Sequence, residues 1–470
     1  MRPLARPRRR TLLAASAAAP ALLGSSPAAA PAAAAGMPDA ATVAREVRAE
    51  FLHSWEGYKR AAWGYDEVRP VSGGHNDFFA PGHTFGLSIV EALDTLWLME
   101  LDEEVRLSAD WIEQHFDPAP DARVQVFEAV IRLVGGLLAG YLCTGRPALL
   151  DRCRQLADRL LPAFTRSPTG LPYRYVNLRT GAVEGRTSPL AEIGTNILEF
   201  GTLSRLTRDA RYQDAAKRAY RAVIDRRSSL GLLGTTLDVE SGRWTDTTSC
   251  APNPPVDSFL EYLWAGGELL GDAELSAWYR MVTDAVLKHQ LDRYGCHWFA
   301  QVDYATGARR DRQLSELGSF YAGLLGKGGD LQLARDHYTC WTGLLDLYGV
   351  LPEVLDYETG KVRSARNDLR PEYVNSSFDL WRLTGEDGFR QSAYRYFRGL
   401  RANLRVPGGY TVAEDVTASP MRLGDLTPGY WFAENPKYLY LMFAAAPRFD
   451  YRSGLLSTEG KLLRGAVRTG

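Results

Sequence analysis

A chain of 470 residues in which 45% of side chains are hydrophobic can bury a large core, which excludes a disordered or fibrous protein. Its 55 basic side chains stand against 56 acidic ones for a formal net charge of −1, with Lys and Arg dispersed among the acids. No basic field results that would attract phosphates, so nucleic acid is not an expected partner.

The N-terminus differs in kind from the rest. Arg2, Arg6, Arg8, Arg9 and Arg10 precede an apolar run, Leu12 to Leu23, and then an Ala/Pro-rich stretch with several A-x-A options. That is the layout of a cleaved signal peptide. Arg9-Arg10 followed by Thr11-Leu12-Leu13 fits the twin-arginine type, which exports folded proteins. Residues 1–36 are therefore read as signal and linker, and residues 37–470 as one domain. No later segment reaches membrane-spanning length without charges. A monomer exported to the periplasm or medium of a bacterium, with no stable membrane insertion, is expected. Cys143, Cys153, Cys250, Cys296 and Cys340 show no C-x-x-C spacing, which predicts neither a zinc site nor a disulfide scaffold, although export permits a bridge such as Cys143 to Cys153.

Beyond the signal, amphipathic helical patterns dominate and share a junction in which an apolar helix stops at a Gly- or acid-containing turn and a second helix begins. Examples are Leu142-Cys143-Thr144-Gly145, Leu269-Leu270-Gly271-Asp272 and Leu383-Thr384-Gly385-Glu386-Asp387. The junctions recur about every 45 to 65 residues, enough for two helices and a loop. The helix before each junction is the more apolar, as in Val124 to Leu142. The one after it carries a charged face, as in Ala210 to Arg226. Inner and outer helices are thereby distinguished. An inner helix near Lys437 to Ala445 lacks a following partner, and the unpaired outer candidate is the helix around Val43 to Ala62. Pairing these two closes an all-α toroid of seven helical hairpins.

About four turns before successive junctions stand Glu128, Glu192, Asp257, Glu316 and Glu372. Each falls at the N-terminal end of an inner helix, so the five are expected to converge on one mouth of the ring. Crowded carboxylates repel and raise one another's pKa unless a cation, a shared proton or a polar ligand relieves them. Glycoside hydrolysis exploits that arrangement, with one carboxyl protonated for the leaving oxygen and one ionised to activate water. Tyr173, Tyr175, Trp298, Phe299 and Tyr430 to Phe432 lie in the same loops and could stack on sugar rings.

Several segments carry a specific resemblance. They are Gly64-Tyr65-Asp66-Glu67, Glu91-Ala92-Leu93-Asp94-Thr95-Leu96, Val126-Phe127-Glu128 through Arg132 to Gly136, and Val256-Asp257-Ser258 with Glu261-Tyr262-Leu263. Leu369-Arg370-Pro371-Glu372, Glu434 to Phe443 and Ser457-Thr458-Glu459 follow. From Trp55 to Glu459 the chain resembles glycoside hydrolase family 47, the class I α-mannosidases and their relatives in glycoprotein degradation.

The resemblance implies an (α/α)7 barrel that removes α-1,2-linked mannose from N-glycans with inversion and depends on Ca²⁺. It places Glu128 as general acid, Glu372 as general base and Asp257 as a third essential carboxylate. Arg132, Glu192, Arg370, Tyr430, Glu434 and Glu459 would line the mannose site, and Thr458 would bind the calcium through its hydroxyl and carbonyl. Arg132, four residues after Glu128, opposes protonation of that acid, so Asp257 remains open as the proton donor. Some positions depart from the family pattern. Ser319 cannot form the disulfide that many members make with the position of Cys340. Asn375 replaces a second acid, Glu316 replaces a His, and Val256 replaces an Arg that selects among mannose branches. A mannoside-binding lectin on the same barrel, or a toroid hydrolase of another linkage, stays open beside the mannosidase reading.

Overall fold

The computed structural model describes residues 36–465, so the signal expected on residues 1–36 lies outside the described residues apart from Gly36. From Pro38 to Gly465 the described chain packs as one unit. Among the described residues, the long helices alternate between apolar inner and amphipathic outer ones. The outer set is α1 (Ala40–Ala62), α3 (Asp102–His115), α5 (Pro147–Leu160), α7 (Arg211–Ile224), α9 (Ala273–His289), α11 (Leu331–Tyr348) and α13 (Asp387–Asn403). The inner set is α2 (Leu87–Leu98), α4 (Val126–Thr144), α6 (Ile197–Thr207), α8 (Ser258–Leu270), α10 (Tyr321–Lys327), α12 (Glu372–Thr384) and α14 (Asn435–Phe443).

Their sequences explain the two roles. Every residue of α2 is buried, whereas α7 buries one stripe, Tyr212, Ala215, Ala216, Ala219, Tyr220 and Val223, and turns its Arg and Lys outward. By length and composition α4 could cross a membrane, but it is buried as a core helix. The junctions also have a local cause. Gly145, Gly271 and Gly385 end α4, α8 and α12 in the left-handed conformation. The acid that follows starts the next helix: the Asp272 carboxylate accepts from the N–H groups of Glu274 and Leu275, and Asp330 from that of Leu333.

The ring closes where expected, α1 packing against α14, although the two ends of the domain lie almost the whole chain apart. The C-terminal hairpin, Leu455–Leu456 paired with Leu462–Arg464, packs against α4 and α6 from inside the ring.

Small antiparallel sheets crown the N-terminal ends of the inner helices. A strand that leads toward an inner helix pairs with the hairpin of the following repeat: Gln125 with Tyr175, Pro189 with Thr236, Ser249 with Val302, Ser315 with Val354. An isolated bridge from Asn367 to Ala413 continues the series. The four hairpins at Tyr175, Thr236, Val302 and Val354 share a turn of the form Asn/Asp-x-x-Ser/Thr-Gly, a second internal repeat beside that of the helices. Asn177 Oδ1 accepts from the N–H groups of Arg179 and Thr180, Asp303 Oδ1 from Ala305 and Thr306, and Asp356 Oδ1 from Glu358 and Thr359, all at 2.9–3.0 Å.

The cysteine expectation is corrected. Cys296 and Cys340 form a disulfide with Cα atoms 6.0 Å apart, joining the hairpin after α9 to α11, while Cys143, Cys153 and Cys250 are free. Cys340 thus finds a partner other than the Ser319 position.

Gly57 of α1 faces the Gly408 carbonyl so closely that a Cβ would overlap it, whereas a Cβ on Gly343 of α11 meets nothing within 4 Å. Gly57→Ala is expected to cost about 3 kcal/mol or more by forcing α1 away from the turn at Gly408, between the paired strands Arg405–Val406 and Gly409–Tyr410. Gly343→Ala should stabilise by about 0.5–1 kcal/mol through helix propensity. Urea denaturation of the two variants checks both signs.

Candidate active site

The crown of sheets sets down its acids at helix starts. Glu128 lies in the first turn of α4, Asp257 immediately precedes α8, Glu372 opens α12 and Glu434 immediately precedes α14. All of them line a cavity of about 140 Å³. Arg132, Arg370, Tyr430, Thr458 and Glu459 complete its predicted lining, so every expected site residue except Glu192 reaches it.

Arg132 organises one wall. Its Nε meets Glu128 Oε2 at 2.6 Å, and its Nη1 meets Glu459 Oε2 at 2.7 Å and Glu91 Oε1 at 3.2 Å. Its guanidinium also stands 5.3 Å from the ring centres of Phe78 and Tyr430. Lys461 Nζ holds the other oxygen of Glu91 at 2.5 Å, both side chains being fully buried. The helix winds more widely over Ala129–Val134, a π-type bulge of the kind found at functional sites.

Arg370 and Glu372 reach the cavity from a strained segment. Leu369 has φ 60°, a left-handed conformation that costs a non-glycine residue about 1–2 kcal/mol. Hydrogen bonds hold it there: its N–H donates to Asn367 Oδ1 at 2.9 Å, and its carbonyl accepts from Asn435 Nδ2 at 2.6 Å. Next along, the Arg370 carbonyl accepts from the Tyr396 hydroxyl at 2.6 Å, and Arg370 Nε meets Glu353 Oε1 at 3.0 Å. Strain of this sort persists where surrounding structure over-determines it. The result aims Arg370 and Glu372 at the same cavity.

Burial dominates the electrostatics. It pushes Asp257 up to about 6, with Glu261 adding to the rise and Arg370 opposing it. It pushes Glu372 up to about 8 against the opposing charge of Arg370, and Glu459 up to about 7 against that of Arg132. Asp257 Oδ1 and Glu372 Oε2 are buried without a hydrogen-bond partner, the condition of polar atoms that await a ligand.

Two of the five repeat-borne acids do not join this wall. Glu192 turns to Arg174, whose Nε and Nη2 hold its two oxygens at 2.8 and 2.6 Å. Glu316 opens a 3-10 turn, Glu316–Phe320, and is buried with Asn367 Nδ2 donating to it at 2.8 Å. Trp298 and Phe299 are core residues packed around His337, and Tyr175 lies 3.6 Å under the Arg123 guanidinium on the crown. Of the loop aromatics only Tyr430 lines the cavity, beside Phe127 and Phe320, neither of which has a role assigned from the sequence. Glu91 and Asp94 also gained no role of their own from the sequence. Their signal was present, since acids inside the otherwise apolar α2 require buried cations, here Lys461 and Lys437.

The family model of glycosyl hydrolase family 47 matches residues 50–465. The chain belongs to this family. It is 33% identical over 444 residues to an alpha-mannosidase I of Arabidopsis thaliana, covering 88% of this chain and 76% of that protein. It is 32% identical over 428 residues to ER degradation-enhancing alpha-mannosidase-like protein 2 of Mus musculus, covering 86% and 71%. Among solved structures, the alpha-1,2-mannosidase from Trichoderma reesei aligns with a TM-score of 0.81 and 25% identity over 92% of this chain and 100% of that one. The family 47 chain is thus a glycoside hydrolase, and its fold is the (α/α)7 barrel expected from the helix repeat.

Asn435→Ala would strip a hydrogen bond from the buried Leu369 carbonyl, and a loss of about 1–3 kcal/mol in urea denaturation is expected. A second prediction concerns Glu199, whose Oε1 accepts from the Tyr262 hydroxyl at 2.7 Å and whose carboxyl burial raises to about 8. Such an acid is neutral when folded and ionises on unfolding, so stability falls as pH rises from about 4.5 to about 8, by up to about 1.4 kcal/mol per unit. Glu199→Gln should flatten that slope, measured by denaturation at pH 5 and pH 8.

Proposed function

We propose that this enzyme is a calcium-dependent, inverting exo-α-mannosidase that removes terminal α-1,2-linked mannose from N-glycan-like mannosides. The observation that carries this reading is the set of carboxyls Glu128, Asp257 and Glu372 around a cavity with room for one pyranose, two of them with unpaired buried oxygens. The linkage is supported by relatives that bear it in their names, such as the mannosyl-oligosaccharide 1,2-alpha-mannosidase IA of Sus scrofa, 30% identical over 450 residues.

An inverting hydrolase needs an acid beside the leaving oxygen and a base beside a water on the opposite face of the sugar. Glu128 takes the acid role and Glu372 the base role. Arg132 fixes Glu128 in place at 2.6 Å, and Glu128, when protonated, passes its proton to the leaving oxygen through a water. Asp257 supports the charge that develops on the ring and is the alternative donor. Arg132, Arg370, Glu434 and Glu459 bind the sugar hydroxyls, and Tyr430 offers its ring face. Glu192, clamped by Arg174, acts on the glycan outside the pocket.

The donor set suits calcium. Thr458 brings a hydroxyl and a carbonyl oxygen to a cavity that Glu261, Glu434 and Glu459 also line, oxygen donors of the kind a hard cation takes. Among the described residues no group of three His, Cys, Asp or Glu forms a cage, so Thr458 would hold the cation together with water and sugar hydroxyls, and Glu434 and Glu459 would hold those in turn. When bound there, the cation would supply a positive charge that favours the ionised form of Glu372, the form a base requires.

We further read residues 1–36 as an export signal, and the Cys296–Cys340 bridge suits an oxidising compartment. The test is mannose release from α-1,2-mannobiose, followed by NMR with and without a chelator. β-Mannose is expected first, lost on chelation and restored by Ca²⁺. Glu128→Gln and Glu372→Gln should each lower kcat by about 10²–10⁴-fold. Initial release of α-mannose would exclude inversion. Binding without release would make the protein a lectin, and cleavage of other glycans alone would reassign the linkage.

A further inference from the structure

A second cavity, of about 340 Å³, lies under the first toward the C-terminal ends of the inner helices. Glu261 of α8 and Asn375 of α12 line both cavities, so the floor of the upper one is the roof of the lower. At its far end the lower cavity is bordered by exposed Leu383, Arg452 and Arg464, which opens it to solvent on the side away from the crown of sheets.

Its lining is built for water. Lys327 Nζ meets Asp379 Oδ2 at 2.7 Å and Glu261 Oε1 at 3.8 Å, and Arg382 Nε is buried without a hydrogen-bond partner. Waters settle where two to four polar partners are in reach, at about 30 Å³ each, so the space accommodates on the order of ten.

Geometry creates a demand for such a supply, on the proposed reading of the function. A mannoside seated in the upper cavity fills it, with its leaving group directed to the crown. The attacking water must then stand on the deep face, beside Glu372. Asn375 follows Glu372 by one turn on α12 and borders the shared floor.

We propose that the lower cavity is a solvent inlet, which delivers the attacking water past Glu261 and Asn375 to Glu372 while the substrate blocks the mouth. One water is consumed in each turnover, so an enzyme saturated with substrate draws on this route continuously. Substrate binding does not.

The test narrows the inlet from Ala265, a buried α8 residue that lines the lower cavity alone. Along the series Ala265→Val, Ala265→Leu and Ala265→Phe, kcat on α-1,2-mannobiose with Ca²⁺ should fall in step with volume, about tenfold or more at Phe, with KM within twofold of the parent. Ala265→Ser, which leaves the space open, should retain the parent kcat. Leu456→Phe, from the C-terminal hairpin, should repeat the loss from another wall. An active parent whose folded Val, Leu and Leu456→Phe variants keep the parent kcat overturns the inlet while leaving the proposed function intact. A parent that releases no mannose overturns both.

Discussion

Burying a guanidinium is costly unless each of its faces finds a partner, and Arg132 has been given partners from three parts of the chain. Glu128 comes from its own helix, Glu91 from α2, and Glu459 from the C-terminal hairpin. Lys461 then returns to Glu91 from that same hairpin, and Lys437 pairs with Asp94 nearby. Breaking one such buried pair leaves a bare charge, at about 3–5 kcal/mol. The network therefore fixes the plug of the barrel and the position of Glu128 together. Precision at the site and integrity of the ring become the same property.

The ring turns a local rule into a site. All inner helices run in the same sense, so their N-terminal ends, with unpaired N–H groups and a positive dipole, share one end of the barrel. Acids are welcome there, and the sheets of the crown decide which acids point inward. Glu128 follows closely on the pairing of Gln125 with Tyr175, and Glu372 on the bridge from Asn367 to Ala413. Seven similar hairpins thus give a site that is asymmetric, because each strand, turn and acid differs slightly in offset.

Much of this was legible in the residues. The inner and outer helices follow from the contrast between Val126–Thr144 and Arg211–Ile224, and the junctions from Gly and Asp acting as stop and start. Glu128, Asp257 and Glu372 were visible as recurrent acids. What escaped has physical reasons. The 3-10 turn at Glu316 shifts that side chain away from the position a helical count assigns, and the Arg174 partner of Glu192 sits on a different hairpin. The Asn/Asp-x-x-Ser/Thr-Gly turns join strands of two or three residues, too short for any alternation to register. The Cys296–Cys340 bridge depends on an approach in space that spacing does not encode.

The pairing of α1 with α14 carries a consequence for biogenesis. The first of the described helices must wait for the last of them, so the seam stays open until most of the domain has been synthesised. Contacts of such long range make folding slow and leave the apolar flanks of α1 without cover in the meantime. A growing chain of this kind cannot mature piecemeal from its N-terminus. It must be sheltered as a gapped ring, and a nascent chain cut short before Asn435 would lack both the partner of α1 and the C-terminal hairpin that carries Thr458 and Glu459 to the cavity.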